Sequence, residues 1–461
     1  MHNFASPSSR LFPALMTMLT VLLLAQACGD TTTDEQPDNQ DPQNEAGEVL
    51  KSELERDMAP EISAEQLDTL GQGNTAFALD LYHQLRGEDG NIFYSPYSIS
   101  AALAMTYGGA RGNTAAEIEQ VMHYDLGQDG THTGFNALDL ELASRGQDLP
   151  SDEEGGDPFQ LNIVNAIWGQ NDYSFSPEYL DLLALNYGAG LRVLDFLNDP
   201  EGSRETINLW VEDQTKERIK DLLPAGSITP GTRMVLTNAI YFNASWDTPF
   251  EESLTSPADF TNLGGQTAQV DMMRQSSTMG YASGEGYKAV EMLYKGHEMS
   301  MVIIAPDAGT FSDFEASLDA DGLRAITDAL SPGSVDLSMP KFEYEDPTAL
   351  TQVLQDMGMV DAFSSNADLS GIDGSRGLQI TDVLHKAFVG VDEAGTEAAA
   401  ATAVVIGETS VPQFEEVSLD RPFIFLVRDI EPAPILFLGR VTALCDTTWA
   451  GGGASDHLPP R

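Results

Sequence analysis

The chain has 461 residues, enough for one large domain or two of average size, and its 42% hydrophobic and 8% aromatic content can fill a sizeable core. Its 72 acidic residues outnumber 23 basic ones, of which only seven are Lys, for a formal net charge of -49. That field repels nucleic acids and anionic membranes, so DNA or RNA binding is not expected. So acidic a surface suits a salty medium, where screening weakens self-repulsion, and is equally what a merely well-solvated surface carries.

Residues 1–28 read as an export signal. Arg10 supplies the positive end, Leu11 to Leu24 the apolar run, and "AQAC" the small residues before Cys28. The ending resembles the lipobox of bacterial lipoproteins, in which the cysteine is lipidated, with Ala25 and Gln26 departing from the preferred types. Ordinary cleavage near Ala27 is the alternative; the run is short for a membrane span. Either route exports the protein to the extracellular space or cell envelope, with membrane contact only through a lipid on Cys28. Two cysteines, Cys28 and Cys445, cannot build a disulfide framework, and Cys445 reads as a spectator thiol. Residues 29–60 are acidic and nearly free of large apolar side chains, so they read as a disordered tether. Residues 449–461 read as a flexible tail.

The body, 61–448, mixes both periodicities. "SAEQLDTLGQGNTAFALDLYHQL" places apolar residues at three- and four-residue steps, predicting an amphipathic helix. "SPYSISAALAMTYGGA" predicts a buried helix opened by Ser-Pro and closed by Gly-Gly. "SRETINLWVEDQTKERIKDLL" predicts another, with Ile207, Trp210, Val211, Thr215 and Ile219 along one face. Strand-like runs follow, among them "LNIVNAIWG", "RMVLTNAIYFNASW", "MSMVIIAP", "LQITDVLHKAFVGVD" and "RPFIFLVRDI". Helices come mainly first and strands later, which predicts an α+β fold with large, mostly antiparallel sheets.

Catalytic signatures are missing. There is no G-x-S-x-G elbow and no phosphate loop ending in Lys-Ser/Thr, and "HEMSM" at His297 has Met301 where a zinc helix needs its second histidine. No catalysis, metal or cofactor is expected. What stands out is "VDEAGTEAAAATAVVIGETSVPQ", long, lightly built and without an aromatic between Phe388 and Phe414. Taken alternately, Thr396, Ala398, Ala400, Thr402 and Val404 are small or β-branched and uncharged, whereas Glu397, Ala399, Ala401 and Ala403 begin with a charge. Such a segment can enter a sheet as a strand, its uncharged set turned inward. An Ala-rich helix is the local alternative.

The flanking residues resemble those of the serpin family. The hinge pattern stands here as Glu393-Ala394-Gly395-Thr396-Glu397 followed by Ala398, Ala399, Ala400, Ala401 and Thr402. "VLHKAFVGVDE", "RPFIFLVRD", "NIFYSPYSISAALAMTYGGARGNTAAEI" and "LTNAIYFNASWDTPF" are similar to further family segments, in family order from about Glu65 to Ala443. The resemblance implies three β-sheets, eight or nine helices and an exposed reactive loop at about 393–417. It implies a monomeric suicide-substrate inhibitor of an extracellular serine or cysteine protease, trapped as an acyl-enzyme while the cut loop inserts into the main sheet. A non-inhibitory serpin-fold binding protein at the cell surface is the alternative.

The same resemblance gives residue roles. Counting from Glu393 puts the bait bond between Thr409 and Ser410, and counting back from Pro422 favours Val411; Glu408 would suit a glutamyl-specific protease. With no Lys or Arg between Glu393 and Asp420, an elastase- or subtilisin-like target is expected. Ser95, Ser98, Asn238 and His385 align with the polar cluster that controls sheet opening, and Trp246 with the aromatic where the loop first inserts. Gly390 and Gly395 would let the backbone bend beside the hinge.

Overall fold

The computed structural model describes residues 47–147, 159–396, 414–432 and 434–446. The expectations for Cys28, for the hinge beyond Thr396 and for the bait bond lie outside these residues.

Ten α-helices are numbered along the chain: α1 (Ala64–Leu85), α2 (Pro96–Gly109), α3 (Gly112–Met122), α4 (Gly127–Ser144), α5 (Pro177–Tyr187), α6 (Pro200–Gln214), α7 (Phe311–Ser317), α8 (Ala320–Asp328), α9 (Leu350–Asp356) and α10 (Ser370–Asp373). The count exceeds the expected eight or nine among the described residues because short turns such as α10 qualify. Their starts follow local chemistry. Ser63 caps α1 in a reciprocal capping box with Gln66. Ser95 caps α2 by accepting from Ser98 N–H, with Pro96 at the first helical position, where its missing N–H costs nothing. Every residue of α2 is buried, so it is the axis of the core.

α6 corrects the longer helix read from the sequence. It ends at Gln214, where the Thr215 hydroxyl bonds the Val211 carbonyl and accepts from Ile219 N–H. Lys216 and Glu217 then adopt left-handed backbone, φ 54° and 62°, which breaks the helical path. Ile219 still joins Val211 in a small core cluster, so the apolar pattern marked burial rather than helix length.

The first sheet has the order β1 (Glu48–Leu50), β4 (Leu191–Leu194), β3 (Gln160–Gln170), β5 (Met234–Ser245), β13 (Gly395–Thr396), β12 (Asp382–Val391), β11 (Phe342–Ala349). β5 is buried along nearly its whole length, because α2 contacts it on one face and the residues following α6 cover the other. The second runs β14 (Glu415–Ser418), β10 (Ser331–Pro340), β7 (Thr267–Gly284), β8 (Tyr287–Leu293), β9 (Met299–Pro306), β15 (Phe423–Asp429), β16 (Ile435–Val441), β2 (Ile92–Tyr94), with β6 (Ser256–Thr261) also on β7. Most pairings are antiparallel; β3–β4, β5–β12 and β10–β14 are parallel. Three sheets were expected, but hydrogen bonding joins two of them. The 18-residue β7 pairs with β6 over Thr267–Met272, with β10 over Met272–Tyr281 and with β8 over Gly280–Gly284, carrying one ladder across the junction. Residues 47–60, read as tether, are also built onto the body, beginning with β1 on the edge of β4.

Candidate functional site

The site is a seam. β5 and β12 pair directly over Val235–Ile240 and Asp382–Ala387, and above that stretch they part. β13 fills the opening, with Thr396 opposite both Ala244 of β5 and Val391 of β12. Two hinge residues, Gly395 and Thr396, are therefore already a strand of the sheet.

The expected side chains gather around this root. Trp246 is fully buried, its N–H donates to the Ala394 carbonyl at 2.9 Å, and its indole Nε1 donates to the Asp392 carbonyl at 3.1 Å. Its ring lies flat on Tyr294, with centroids 4.6 Å apart. The Tyr294 hydroxyl meets the Thr396 hydroxyl at 2.7 Å, and Thr396 is 4% exposed. Thr396 thus faces the core, the parity read from the alternating set. Gly395 serves a different purpose from the expected bend: a Cβ there would stand 2.2 Å from the Ala244 carbonyl oxygen. Only glycine lets the two strands approach so closely. Gly390 lies paired within β12, opposite Glu343.

Glu393 ties the root down. Its carboxylate accepts from Lys341 Nζ at 2.6 Å and from the Thr255 hydroxyl at 2.7 Å, while its carbonyl accepts from Phe250 N–H. Burial alone would raise its pKa, but the ammonium and hydroxyl hold the carboxyl below the usual range. Asp392, by contrast, is pushed up by burial although Ala394 and Gly395 N–H donate to it. These groups line a cavity of about 460 Å³ that also takes in Phe250, Glu252 and Asp271.

Lower in the seam, the four expected polar residues form one network. His385 Nε2 accepts from Ser95 N–H at 3.1 Å, so its proton is on Nδ1, which donates to Asn238 Oδ1. Asn238 Nδ2 donates to Ser98 Oγ and to Asn165 Oδ1. Ser98 Oγ donates to Asn165 Oδ1 at 3.2 Å. Asn165 was missed; its signal was the second of two amides, after Asn162, inside the apolar run "LNIVNAIWG". The network links α2 to β3, β5 and β12, and it clasps the two strands together where they pair.

Burial lowers the His385 pKa to about 3 and that of His132, on α4 against Tyr187 of α5, to about 4. Both stay neutral when folded and titrate near 6.5 when unfolded, so the unfolded chain binds more protons as pH falls. Their stabilisation is complete above pH 6.5 and fades below it. Between pH 7.5 and 5 the unfolding free energy is expected to fall, by up to about 2.7 kcal/mol per pH unit at its steepest. H385Q should roughly halve that slope in denaturant titrations run across this range.

Residues 72–444 match the family model described as Serpin (serine protease inhibitor). The chain is a serpin. Human Serpin B3 is 40% identical over 82% of this chain and 100% of its own, and the bovine leukocyte elastase inhibitor is 38% identical over the same shares. An uncharacterized serpin-like protein of Thermococcus kodakarensis is 41% identical over 79% of this chain and 84% of its own. Among solved structures, the native thermophilic serpin tengpin superposes with a TM-score of 0.74 at 28% identity, covering 86% of this chain and 98% of its own. Thyroxine-binding globulin bound to thyroxine gives 0.70 at 30%, covering 82% and 99%. The serpin thus has relatives named as inhibitors and a structural neighbour named for binding a hormone.

Proposed function

We propose that this serpin is a suicide-substrate inhibitor of an extracellular serine- or cysteine-type endopeptidase. It acts as an exported monomer, either released or held through Cys28. The observation that carries the reading is the root of the loop, Gly395 and Thr396, seated between two strands that part above a polar clasp.

The register gives the steps their geometry. With Thr396 opposite Ala244, a continuing strand brings Ala400 opposite Ile240, Thr402 between Asn238 and His385, and Val405 opposite Val235. Insertion on that path replaces the whole direct β5–β12 ladder and breaks the His385–Asn238 bond. The protease's nucleophile attacks the carbonyl carbon of the residue before the bait bond, Thr409 in the forward count. The amide bond breaks, the new amino terminus of Ser410 leaves, and an ester joins loop to protease. Water would release that ester, so capture requires insertion to outrun deacylation. Small side chains at Ala398, Ala400 and Thr402 keep the buried face of the incoming strand unobstructed.

Mixing the protein with elastase- and subtilisin-type proteases tests the reading. A covalent complex that survives denaturing electrophoresis is expected, with mass spectrometry placing the cut between Glu408 and Val411. Clean cleavage with no complex would overturn inhibition and favour the binding-protein alternative.

A further inference from the structure

Residues 47–60 lie upstream of the family match, which begins at residue 72, and inhibition makes no use of them. They are nonetheless built onto the body. In β1, Glu48 pairs with Val193 and Leu50 with Leu191, and Leu50 packs against the main core. Lys51 Nζ donates to the Gly188 carbonyl and the Ser52 hydroxyl to Asp181. Arg56 pairs with Asp139 at 2.7 Å, and Asn136 donates to the Asp57 carbonyl at 2.7 Å. The Asp57 N–H ends on the Leu185 carbonyl. Gly190 fits this contact: a Cβ there would stand 2.6 Å from the Leu50 carbonyl oxygen and 2.8 Å from Val49 Cγ1.

The place of this segment sets the side from which the chain joins the body. β3 pairs with β5 from Gln160 opposite Asn243, beside the loop root, down to Trp168 opposite Val235. β4 joins β3 only at that lower end, with Arg192 opposite Trp168 and Val49 opposite Arg192. Val235, level with Val49, lies nine residues below Ala244, which faces Thr396, so about 30 Å of strand separates the two ends. β1 runs so that Gly47 lies beyond Val49, further still from the root.

We propose that residues 47–58 are an orienting strap. A lipid bilayer holding this chain upstream of Gly47 holds it from the pole opposite the loop root, so the loop faces the medium from which a protease arrives. The loop's purpose comes from the inhibitory reading; the geometry stands without it. The 18 residues from 29 to 46 reach at most about 65 Å even when fully extended, and the point where that reach begins on the body is the strapped pole. A chain unstrapped as far as Ser63 would let the body roll.

The test uses the chain from residue 29 onward with a hexahistidine tag in place of residues 1–28, bound to nickel-chelating vesicles, so it does not depend on lipidation of Cys28. In a Cys445→Ser background, one fluorophore is placed at Asp172→Cys, exposed beyond the lower end of β3, or at Ser253→Cys, exposed near the root. A headgroup quencher in the vesicle is expected to quench the Asp172 position several-fold more than the Ser253 position. Gly190→Leu, or Lys51→Ala with Arg56→Ala should Gly190→Leu not fold, is expected to bring the two together. Equal quenching in the strapped chain, or stronger quenching at Ser253, overturns the proposal. Complex formation with a protease in the same preparation reports separately on the inhibitory reading.

Discussion

Thr396→Arg is expected to turn the inhibitor into a substrate. Thr396 sits between β5 and β12, almost without exposure, with its hydroxyl on Tyr294, whose ring meets Phe242 edge to face with centroids 5.1 Å apart. A guanidinium there would have to fit beside Tyr294 in space that now holds a threonine, and burying its charge costs several kcal/mol, so the variant keeps its loop out of the seam. A barrier to insertion raised by about 3 kcal/mol slows that step roughly a hundredfold, while deacylation keeps its rate. Denaturing gels should show cleaved serpin in place of the covalent complex, and the stoichiometry of inhibition should rise by at least tenfold. Glu397→Arg is the control, because strand periodicity turns the next position to the opposite face; its complex yield should hold. Full complex yield from Thr396→Arg would mean that the seam is not the path of insertion.

Cutting the loop without retaining a protease is expected to raise the melting temperature. β5 and β12 are joined by a single direct ladder of six residue pairs, which insertion must displace together with the His385–Asn238 bond. A new strand of about ten residues bonds at both edges, a gain of roughly one ladder bond per residue at about 1 kcal/mol each before ordering entropy is subtracted. Even half of that sum shifts the transition of a body this size by about 5 °C or more, since unfolding entropy near melting is about 2 cal/mol/K per residue. Calorimetry before and after a nick by a non-target protease measures it. The same nick in Thr396→Arg should leave the transition in place, and an unchanged transition in the unaltered protein would remove the metastable state from the account.

The sequence was most legible where local chemistry decides. Apolar periodicity announced α1, the Ser95-Pro96 start announced α2, and the buried parity of Thr396 followed from counting alternate residues. The polar network was found by resemblance, all but Asn165, whose amide looked like an ordinary strand residue until its partners on α2 and β5 were known. Long-range pairing was not legible. That β7 would carry one ladder through what looked like two sheets, and that β1 would leave a polar stretch to edge β4, depends on partners more than a hundred residues away for β1 and on strand length for β7. The early end of α6 was hidden for a related reason: Ile219 keeps its place in the core by a left-handed turn, and periodicity alone cannot separate that turn from a further helical one.

The contacts made by Trp246, Lys341 and Tyr294 all fall on residues up to Thr396, while the bait positions lie a dozen residues downstream. On the proposed inhibitory reading, mechanical work and target choice would occupy separate stretches of one ribbon. Exchange of side chains around Thr409 would then be expected to redirect the protein toward another protease while leaving the contacts at the root unaltered.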